Sequence, residues 1–338
     1  MNARTVIRHG LRALVLALAA VVALGGLLAA ALRLQFTGAP ATWAMSTGHD
    51  ALWMGHMWVD GRRTERDVQE LAVRLRGTGV KEVYVHSGPF EWDGRLDPAK
   101  YPNARNFVQW MHKHLPNVRV SAWLGQAVKN GLDLDDPAAR TNVLAGVAAI
   151  MAQGYDGIHY NFEPVGDGDE EFLDLLERTR RHTTLLSTSV PQIEPYAGMR
   201  LATRAVLGHD KYWSKGYFSQ VVARVDQVAV MTYDSFLPAQ ALYGGHVARQ
   251  AALGLDLVPE DKQLLIGAPA YHDHGVPWAD AAESVATAAE GARLALSEHG
   301  RREGFGLALY VDFAATEEDW REYTTRWVTL GSGGRTLS

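Results

Sequence analysis

The stretch with the clearest chemical potential is residues 154–165, which reads GYDGIHYNFEPV. From residue 158 to 163 apolar and polar residues alternate, which is the period of a strand whose successive side chains point to opposite faces. The apolar face is suited to pack under helices, and the other face carries His159, Asn161 and Glu163. Polar groups on the inner face of a buried strand are costly unless they are paired. We therefore expect a reaction site at the end of this strand.

The stretch resembles the signature of glycoside hydrolase family 18, the chitinase-like hydrolases, whose fourth-strand motif Asp-Gly-x-Asp-x-Asp-x-Glu ends in the catalytic acid. The matching positions, with two aspartates replaced, are Asp156, Gly157, His159, Asn161 and Glu163. Residues 228–234, VAVMTYD, resemble the family's sixth strand, which ends in Met-x-Tyr-Asp. Residues 267–271, GAPAY, are more weakly similar to its seventh strand. The resemblance covers most of the chain after residue 50.

The resemblance implies a substrate-assisted mechanism in which the acetamide oxygen of the sugar attacks and one carboxylic acid suffices. Glu163 would be the acid and then the base. Asn161 stands where the family has the aspartate that orients the acetamide, and an amide can hydrogen-bond there without lending a negative charge. An Asn-x-Glu pair is similar to that of a related group of endo-β-N-acetylglucosaminidases. Tyr233 would donate a hydrogen bond to the acetamide oxygen.

The same resemblance implies that Asp234 meets sugar hydroxyls and that Met231 lines the pocket. Tyr271 and Tyr310 end the seventh and eighth predicted strands, and Tyr310 stands where the family usually has a tryptophan floor. Trp92 and Trp278 fall in predicted βα loops and are the candidate cleft tryptophans. Asp156 is expected to be structural, and His159 a core histidine with hydrogen-bond partners. For the others the ordinary alternatives stay open: a capping or ion-paired glutamate, a satisfied interior amide and packing tyrosines.

Two short clusters could suggest a metal. His272, Asp273 and His274 follow the seventh strand, and the acidic cluster is Asp167, Asp169 and Glu171. Such short clusters occur by chance on solvated loops, and acidic residues at a helix start complement its dipole. We predict no metal and no cofactor, with a metal-dependent hydrolase using His272 and His274 as a remaining alternative.

The elements that must position these residues alternate between strands and helices. The predicted strands are 52–59, 82–86, 119–124, 157–163, 184–189, 227–233, 264–269 and 306–310. The predicted helices are 64–76, 104–114, 137–152, 170–181, 212–223, 241–254, 281–299 and 317–327. Repeated alternation implies parallel strands with helices outside. An open doubly wound sheet also alternates, but the count of eight and the polar strand ends favour an α/β fold of the (β/α)8 TIM-barrel type.

The N-terminus contains a charge-free run, residues 13–32, that is close to the ~20 residues needed to cross a bilayer. Arg4, Arg8 and Arg12 precede it, so residues 1–12 are predicted to stay in the cytoplasm. We predict an uncleaved transmembrane signal anchor, with a signal peptide cleaved near Ala31 or Ala41 as the alternative. Residues 33–50 would form a linker, 51–330 the barrel and 331–338 a C-terminal tail.

Bulk properties exclude several classes of function. The 338 residues carry a net charge of -5, so there is no basic excess of the kind that nucleic-acid binders show. The sequence contains no cysteine, which excludes disulfides, thiolate catalysis and zinc-thiolate sites.

The sequence thus predicts a single-pass membrane protein with an extracytoplasmic domain, or a secreted protein if the N-terminal segment is cleaved. The partner would be a glycan of the chitin, peptidoglycan or N-glycan type, hydrolysed with retention. A non-catalytic carbohydrate-binding protein is the alternative, because two motif aspartates are replaced.

Overall fold

The centre of the fold is a closed barrel of eight parallel strands, seen in a computed structural model that describes residues 3–128, 130–273 and 275–329. The barrel strands are β1 (Asp50–Met54), β2 (Val80–His86), β3 (Arg119–Ala127), β4 (Gly157–Glu163), β5 (Leu186–Val190), β8 (Gln227–Val230), β9 (Gln263–Pro269) and β10 (Phe305–Tyr310). Each lies beside its predecessor among these eight, and β10 closes onto β1 through the pairs Ala51–Ala308 and Leu52–Leu309. The predicted (β/α)8 barrel is confirmed, and the open sheet is wrong.

Helices cover the outside of the barrel. They are α2 (Glu65–Leu75), α3 (Ala104–His114), α4 (Pro137–Met151), α5 (Glu170–Thr179), α7 (Lys215–Arg224), α8 (Gln240–Leu257), α10 (Val285–His299) and α11 (Glu317–Tyr323). Two start signals are explicit in the sequence. Thr64 and Asp67 form a reciprocal capping box at α2, and Thr316 and Asp319 form another at α11.

The strand alternation produces two separate cores. One lies between the strands and the helices and takes the outward residues of β4, namely Ile158, Tyr160 and Phe162. The other fills the barrel interior with Ala51, Trp53, Tyr84, Trp123, Ala229, Leu265, Ala308 and Val311. Since the period-2 pattern of β4 sends 158, 160 and 162 outward, it sends 159, 161 and 163 inward, as the sequence predicts.

An insertion between β5 and β8 departs from the predicted pattern. It contains β6 (Gln192–Ile193), α6 (Met199–Leu207) and β7 (Tyr212–Trp213), so the helix predicted over 212–223 begins with a strand. Ser214 caps α7 through its hydroxyl, which starts that helix at Lys215 instead. The predicted helix 281–299 is also interrupted: a short helix α9 (Pro277–Ala282) precedes α10, and Ser284 caps α10.

The N-terminal helix α1 (Ala3–Gln35) contains the run predicted to span a membrane, residues 13–32. Across the residues described here, no helix is long and apolar enough to cross a membrane, so the predicted transmembrane anchor is not supported. The end of α1 instead packs on α8, where Leu32 is buried and the Phe36 ring faces Gly244. The predicted linker also contacts the barrel domain, since Arg293 donates from Nε to the Ala44 carbonyl at 2.6 Å.

Two further predictions, one about the C-terminal tail and one about the location of the barrel, stay open. Residues 331–338, the predicted tail, lie outside the described residues. The extracytoplasmic location of the barrel stays a prediction.

Candidate active site

Glu163 is the last residue of β4, at the C-terminal mouth of the barrel where its side chain reaches solvent. The surrounding walls displace water and thereby raise the pKa of its carboxyl above the ordinary value, and the negative charge of nearby Asp234 raises the pKa further. A hydrogen bond with the Asn161 side chain acts on that pKa in the opposite direction. A raised pKa keeps a carboxyl protonated toward neutral pH, as a general acid requires.

Asn161 sits two residues earlier on the same inward face, half-buried. Its Oδ1 atom is buried and has no hydrogen-bond partner within the described part of the chain. A buried acceptor without a donor is costly. A ligand that donates an N–H group to this oxygen would remove that cost.

Tyr233 follows β8 by three residues and is buried, with its ring stacked on Tyr310 at a centroid distance of 5.0 Å and an interplanar angle of 18°. Gly267 on β9 provides the room for it, because a Cβ there would lie 2.8 Å from the Tyr233 ring. Burial first, and then the neighbouring Tyr310 and Glu163, raise the pKa of the Tyr233 phenol well above its ordinary value. The phenol therefore keeps its proton and can donate.

Asp234 and Tyr271 meet across the same end of the barrel. The Tyr271 hydroxyl donates to Asp234 Oδ1 at 2.6 Å, and the Tyr271 ring stands edge-on to Tyr233 at 6.0 Å. Burial and the hydrogen bond to Asp234 raise the pKa of Tyr271. The motif residues after β8 are thus tied to the end of β9.

One cavity of about 380 Å³ joins Glu163 to Met231, Tyr233 and Asp234. Its size suits a small-molecule or sugar-ring ligand. The structure therefore brings together the candidate residues of β4 and of the segment after β8. The cavity is completed by residues that the sequence analysis missed: Gln192, Leu207, His209, Asp210, Lys211 and Phe236.

The missed residues come mostly from the β6–α6–β7 insertion. Trp213 donates from its indole to the Val165 carbonyl at 2.9 Å, and the Ser214 N–H donates to Asp167 at 2.6 Å, so the insertion is fastened to the loop after Glu163. Lys211 places its ammonium 5.6 Å from the Phe236 ring centre. Burial lowers the pKa of Lys211, while Glu283 and Asp234 act to raise it. No motif in the sequence marks Lys211, because a lysine in a loop is usually solvated.

The two candidate tryptophans differ in their placement. Trp278 lies in α9 and does not line the cavity, but its indole donates at 3.4 Å to the carbonyl of Phe236, which does. Trp92 is 70% exposed and lines a different surface depression with residues 91–98. The structure does not bring Trp92 to the cavity of Glu163.

His159 lies in the barrel interior, one layer below Asn161, fully buried and stacked on Tyr84 at 3.8 Å. The Trp53 indole donates to its Nε2 at 3.0 Å, so Nδ1 carries the ring proton and donates to Ser187 Oγ at 2.8 Å. Burial lowers the pKa of His159 well below its ordinary value, so the ring is neutral. A neutral His159 adds no positive charge beneath Glu163.

Asp156 precedes β4 at the opposite end of the barrel, about 20 Å of strand away from Glu163. It accepts from the Val120 N–H at 2.7 Å and faces His112 at 3.0 Å. These contacts join β4 to β3 and α3.

The described residues of the two clusters considered as metal sites contact different partners. His272 pairs with Asp319 at 3.0 Å, and His274 lies outside the described residues. Asp169 caps α5 through the Phe172 N–H at 2.8 Å, whereas Asp167 accepts from Ser214. Among the residues with described positions, no three His, Cys, Asp or Glu side chains converge as a metal site would require.

Comparison with solved structures gives the same architecture. The Bacillus cereus spore cortex-lytic enzyme SleL matches with a TM-score of 0.58 at 14% identity, over 82% of this chain and 74% of that chain. A chitinase from Chromobacterium violaceum matches with a TM-score of 0.55 at 15% identity, over 81% of this chain and 97% of its own. The chain has a chitinase-like fold.

A class V chitinase from Pseudomonas fluorescens matches with a TM-score of 0.56 at 12% identity, over 82% of this chain and 98% of its own. No protein-family model and no curated protein matches the sequence. The chitinase-like fold implied by the motifs of β4 and β8 is confirmed. At such identities the likeness is one of fold alone.

Proposed function

We propose that this chain is a glycosidase that hydrolyses glycans containing N-acetylhexosamine, with retention and with the substrate's own acetamide as nucleophile. The observation that carries the proposal is one cavity lined by the Glu163 carboxyl, with its raised pKa, and by the protonated Tyr233 phenol. Asn161 is linked to Glu163 by a side-chain hydrogen bond, and its Oδ1 atom is a buried acceptor with no partner in the described part of the chain. Each has the protonation state or hydrogen-bonding capacity that one part of the reaction needs.

In the first step, Glu163 as the carboxylic acid gives its proton to the glycosidic oxygen. The acetamide carbonyl oxygen attacks the anomeric carbon as the bond to the leaving oxygen breaks, which forms a cyclic oxazolinium. Asn161 Oδ1 accepts the acetamide N–H and fixes the plane of the amide. Tyr233 donates its hydroxyl proton in a hydrogen bond to the acetamide oxygen.

In the second step, the Glu163 carboxylate takes a proton from water. The water oxygen bonds to the anomeric carbon and the ring of the oxazolinium opens, which restores the acetamide and the protonated Glu163. Two inversions at one carbon give net retention. Asp234, held by Tyr271, adds a negative charge near Glu163 and thereby favours the protonated acid that starts the cycle.

The decisive experiment compares the full chain with Glu163→Gln on chitooligosaccharides, peptidoglycan fragments and N-glycans. Loss of the acid should lower kcat roughly 100-fold or more, since general acid catalysis contributes about 10²–10⁴-fold. Glu298→Gln, an exposed change on α10, is the matched control and should keep full activity. Product release is followed by mass spectrometry, and proton NMR of the fresh product reads its anomeric configuration.

Equal rates for the wild type and Glu163→Gln on every substrate would refute the catalytic role. Sugar binding by calorimetry, with no product formed by the wild type, would instead favour the carbohydrate-binding alternative, for which the replaced motif positions Asn161 and His159 are the motivation.

A further inference from the structure

Glu283, between α9 and α10, makes an unusual set of contacts. It is only 2% exposed and accepts backbone hydrogen bonds from three consecutive residues, Asp234 at 2.8 Å, Ser235 at 2.9 Å and Phe236 at 3.1 Å. The Ser235 hydroxyl donates to the same carboxyl at 2.7 Å. One buried side chain from the β9–α10 connection thus fixes the turn that leaves β8.

The backbone conformation of that turn points three consecutive N–H groups at one anionic acceptor. Asp234 has φ 53° and Phe236 has φ 57°, both in the left-handed region that residues other than glycine seldom adopt. This conformation turns successive N–H groups toward one point and forms a concave anion-binding nest. Here the carboxyl of Glu283 occupies the nest.

The turn determines where two site residues lie. Tyr233 immediately precedes it, and Asp234 is its first residue, with a carboxyl that reaches the Tyr271 hydroxyl at 2.6 Å. We propose that Glu283 is a positioning residue of the active site, which holds the β8 turn so that Asp234 faces Glu163 and Tyr233 faces the substrate acetamide. This inference rests on the proposed function and adds a residue to it.

Other charged and titratable groups face the same region. Lys211 from the insertion, Tyr243 from α8 and Tyr271 after β9 all lie close enough to Glu283 for its charge to act on them. Glu163 is faced by Asp234 and by the phenols of Tyr233 and Tyr310. A change at Glu283 that displaces Asp234 therefore removes the acidic neighbour that raises the pKa of Glu163.

The test uses the full chain, with kcat, KM and the pH profile measured on methylumbelliferyl chitobioside. In Glu283→Gln the side-chain NH2 group would face a backbone N–H group, and two donors cannot form a hydrogen bond. Glu283→Ala removes both carboxylate oxygens that accept from the turn. Both variants should lower kcat roughly 10- to 100-fold with little change in KM, because a shift of about 1 Å in a positioned group has effects of that size. The basic limb of the pH profile should move to lower pH, as in Asp234→Asn.

Glu322→Gln is the matched control, since Glu322 also binds a backbone N–H, that of Ala286 at 2.9 Å, at the start of α10. It should change neither kcat nor the basic limb. Adding Glu283→Gln to Asp234→Asn should move the basic limb no further. The inference would be overturned if kcat were unchanged in the Glu283 variants. It would also be overturned if their activity fell only in proportion to the amount of folded protein while the basic limb of the pH profile stayed where it is.

A wild type that forms no product from chitooligosaccharides, peptidoglycan fragments or N-glycans would refute the proposed function separately. The same variants would then be titrated with N-acetylglucosamine thiazoline by calorimetry. Weaker binding in both Glu283 variants would support the positioning role, and binding equal to that of the wild type would overturn it.

Discussion

The two ends of the barrel treat their carboxyl groups differently. At the N-terminal end, Asp226 accepts two hydrogen bonds from Arg180, at 2.6 and 2.7 Å, and a third from the Leu186 N–H at 2.8 Å. At the C-terminal mouth, Glu163 and Asp234 share one cavity with Tyr233, and the side-chain oxygen of Asn161 is a buried acceptor with no partner among the described residues. Asp226 is paired and joins strands to a helix, whereas the mouth holds Glu163 and Tyr233, whose pKa values are both raised.

Glu82 on β2 is buried at the N-terminal end and differs from Asp226. It is fully buried, and although Arg119 contacts one of its oxygens, Oε2 has no partner among the described residues. Burial raises the pKa of Glu82 to about 7, against an ordinary value of 4.5. A shifted pKa therefore does not by itself mark the proposed active site, and variants at both ends are needed to separate effects on catalysis from effects on stability.

Among variants that keep the acid Glu163, the largest effect on activity is expected from Tyr233→Phe at the mouth. The change removes one hydroxyl and keeps the ring stacked on Tyr310, so the loss should be in kcat, roughly 100-fold, because the acetamide oxygen is no longer held in line with the anomeric carbon. Tyr160→Phe is the matched control, because its hydroxyl contacts Thr179 at 2.8 Å in the outer core. That control should cost about 1 kcal/mol of unfolding free energy and leave kcat unchanged. Equal kcat losses in both variants would mean that Tyr233 acts through packing.

A smaller effect is expected from Asn161→Asp, which restores the residue that the chitinase-like motif has at this position. The added negative charge beside Glu163 should raise the pKa of the acid further, so the basic limb of kcat/KM should move to higher pH. The charge should also stabilise the oxazolinium and raise kcat a few-fold, about 1 kcal/mol. Asn106→Asp, an exposed change on α3, is the control. An unmoved basic limb would place Asn161 too far from Glu163 for the proposed role.

No effect on kcat is expected from Glu82→Gln at the other end, where the expected change is in stability. In the folded wild type the pKa of Glu82 is raised, so the stability that its protonated form contributes is present below about pH 4.5 and is lost as the pH rises through about 7. A pKa change from 4.5 to about 7 corresponds to roughly 3 kcal/mol. Urea unfolding at pH 5 and pH 8 should therefore show a steeper loss for the wild type than for the variant. Glu70→Gln on the surface of α2 should follow the wild type.

The barrel was predictable because its signals are local. All eight barrel strands fall where the alternation places them, and β4 has the predicted bounds, Gly157–Glu163. Strand ends were less predictable: β1 ends at Met54 because a 3-10 turn follows at residues 56–58, and β8 ends at Val230, so Tyr233 lies beyond the strand. The polar motifs at the strand ends were sufficient to predict that Glu163 and Tyr233 lie at the same end of the barrel.

The rest of the site could not be predicted because it depends on contacts between distant loops. Gln250 on α8 holds β6 by bonding both backbone groups of Ile193, at 2.7 and 2.8 Å, and a two-residue strand has no period to recognise. Glu283 acts on backbone N–H groups some fifty residues away, so no side-chain pairing in the sequence marks it. Trp92 shows the converse, since a loop aromatic satisfies the sequence criterion and still lies away from the cavity.

The junction of α1 with the barrel has a practical consequence for protein production. Gly244 and Gly245 on α8 form the contact surface for the end of α1. A Cβ atom at Gly244 would collide with the Phe36 ring, and one at Gly245 with the Leu32 backbone. A recombinant protein that starts at residue 45 would expose this surface of α8 to solvent. We would expect such a protein to self-associate through it. Truncations intended for crystallisation or assay should keep the chain from before Leu32 onward.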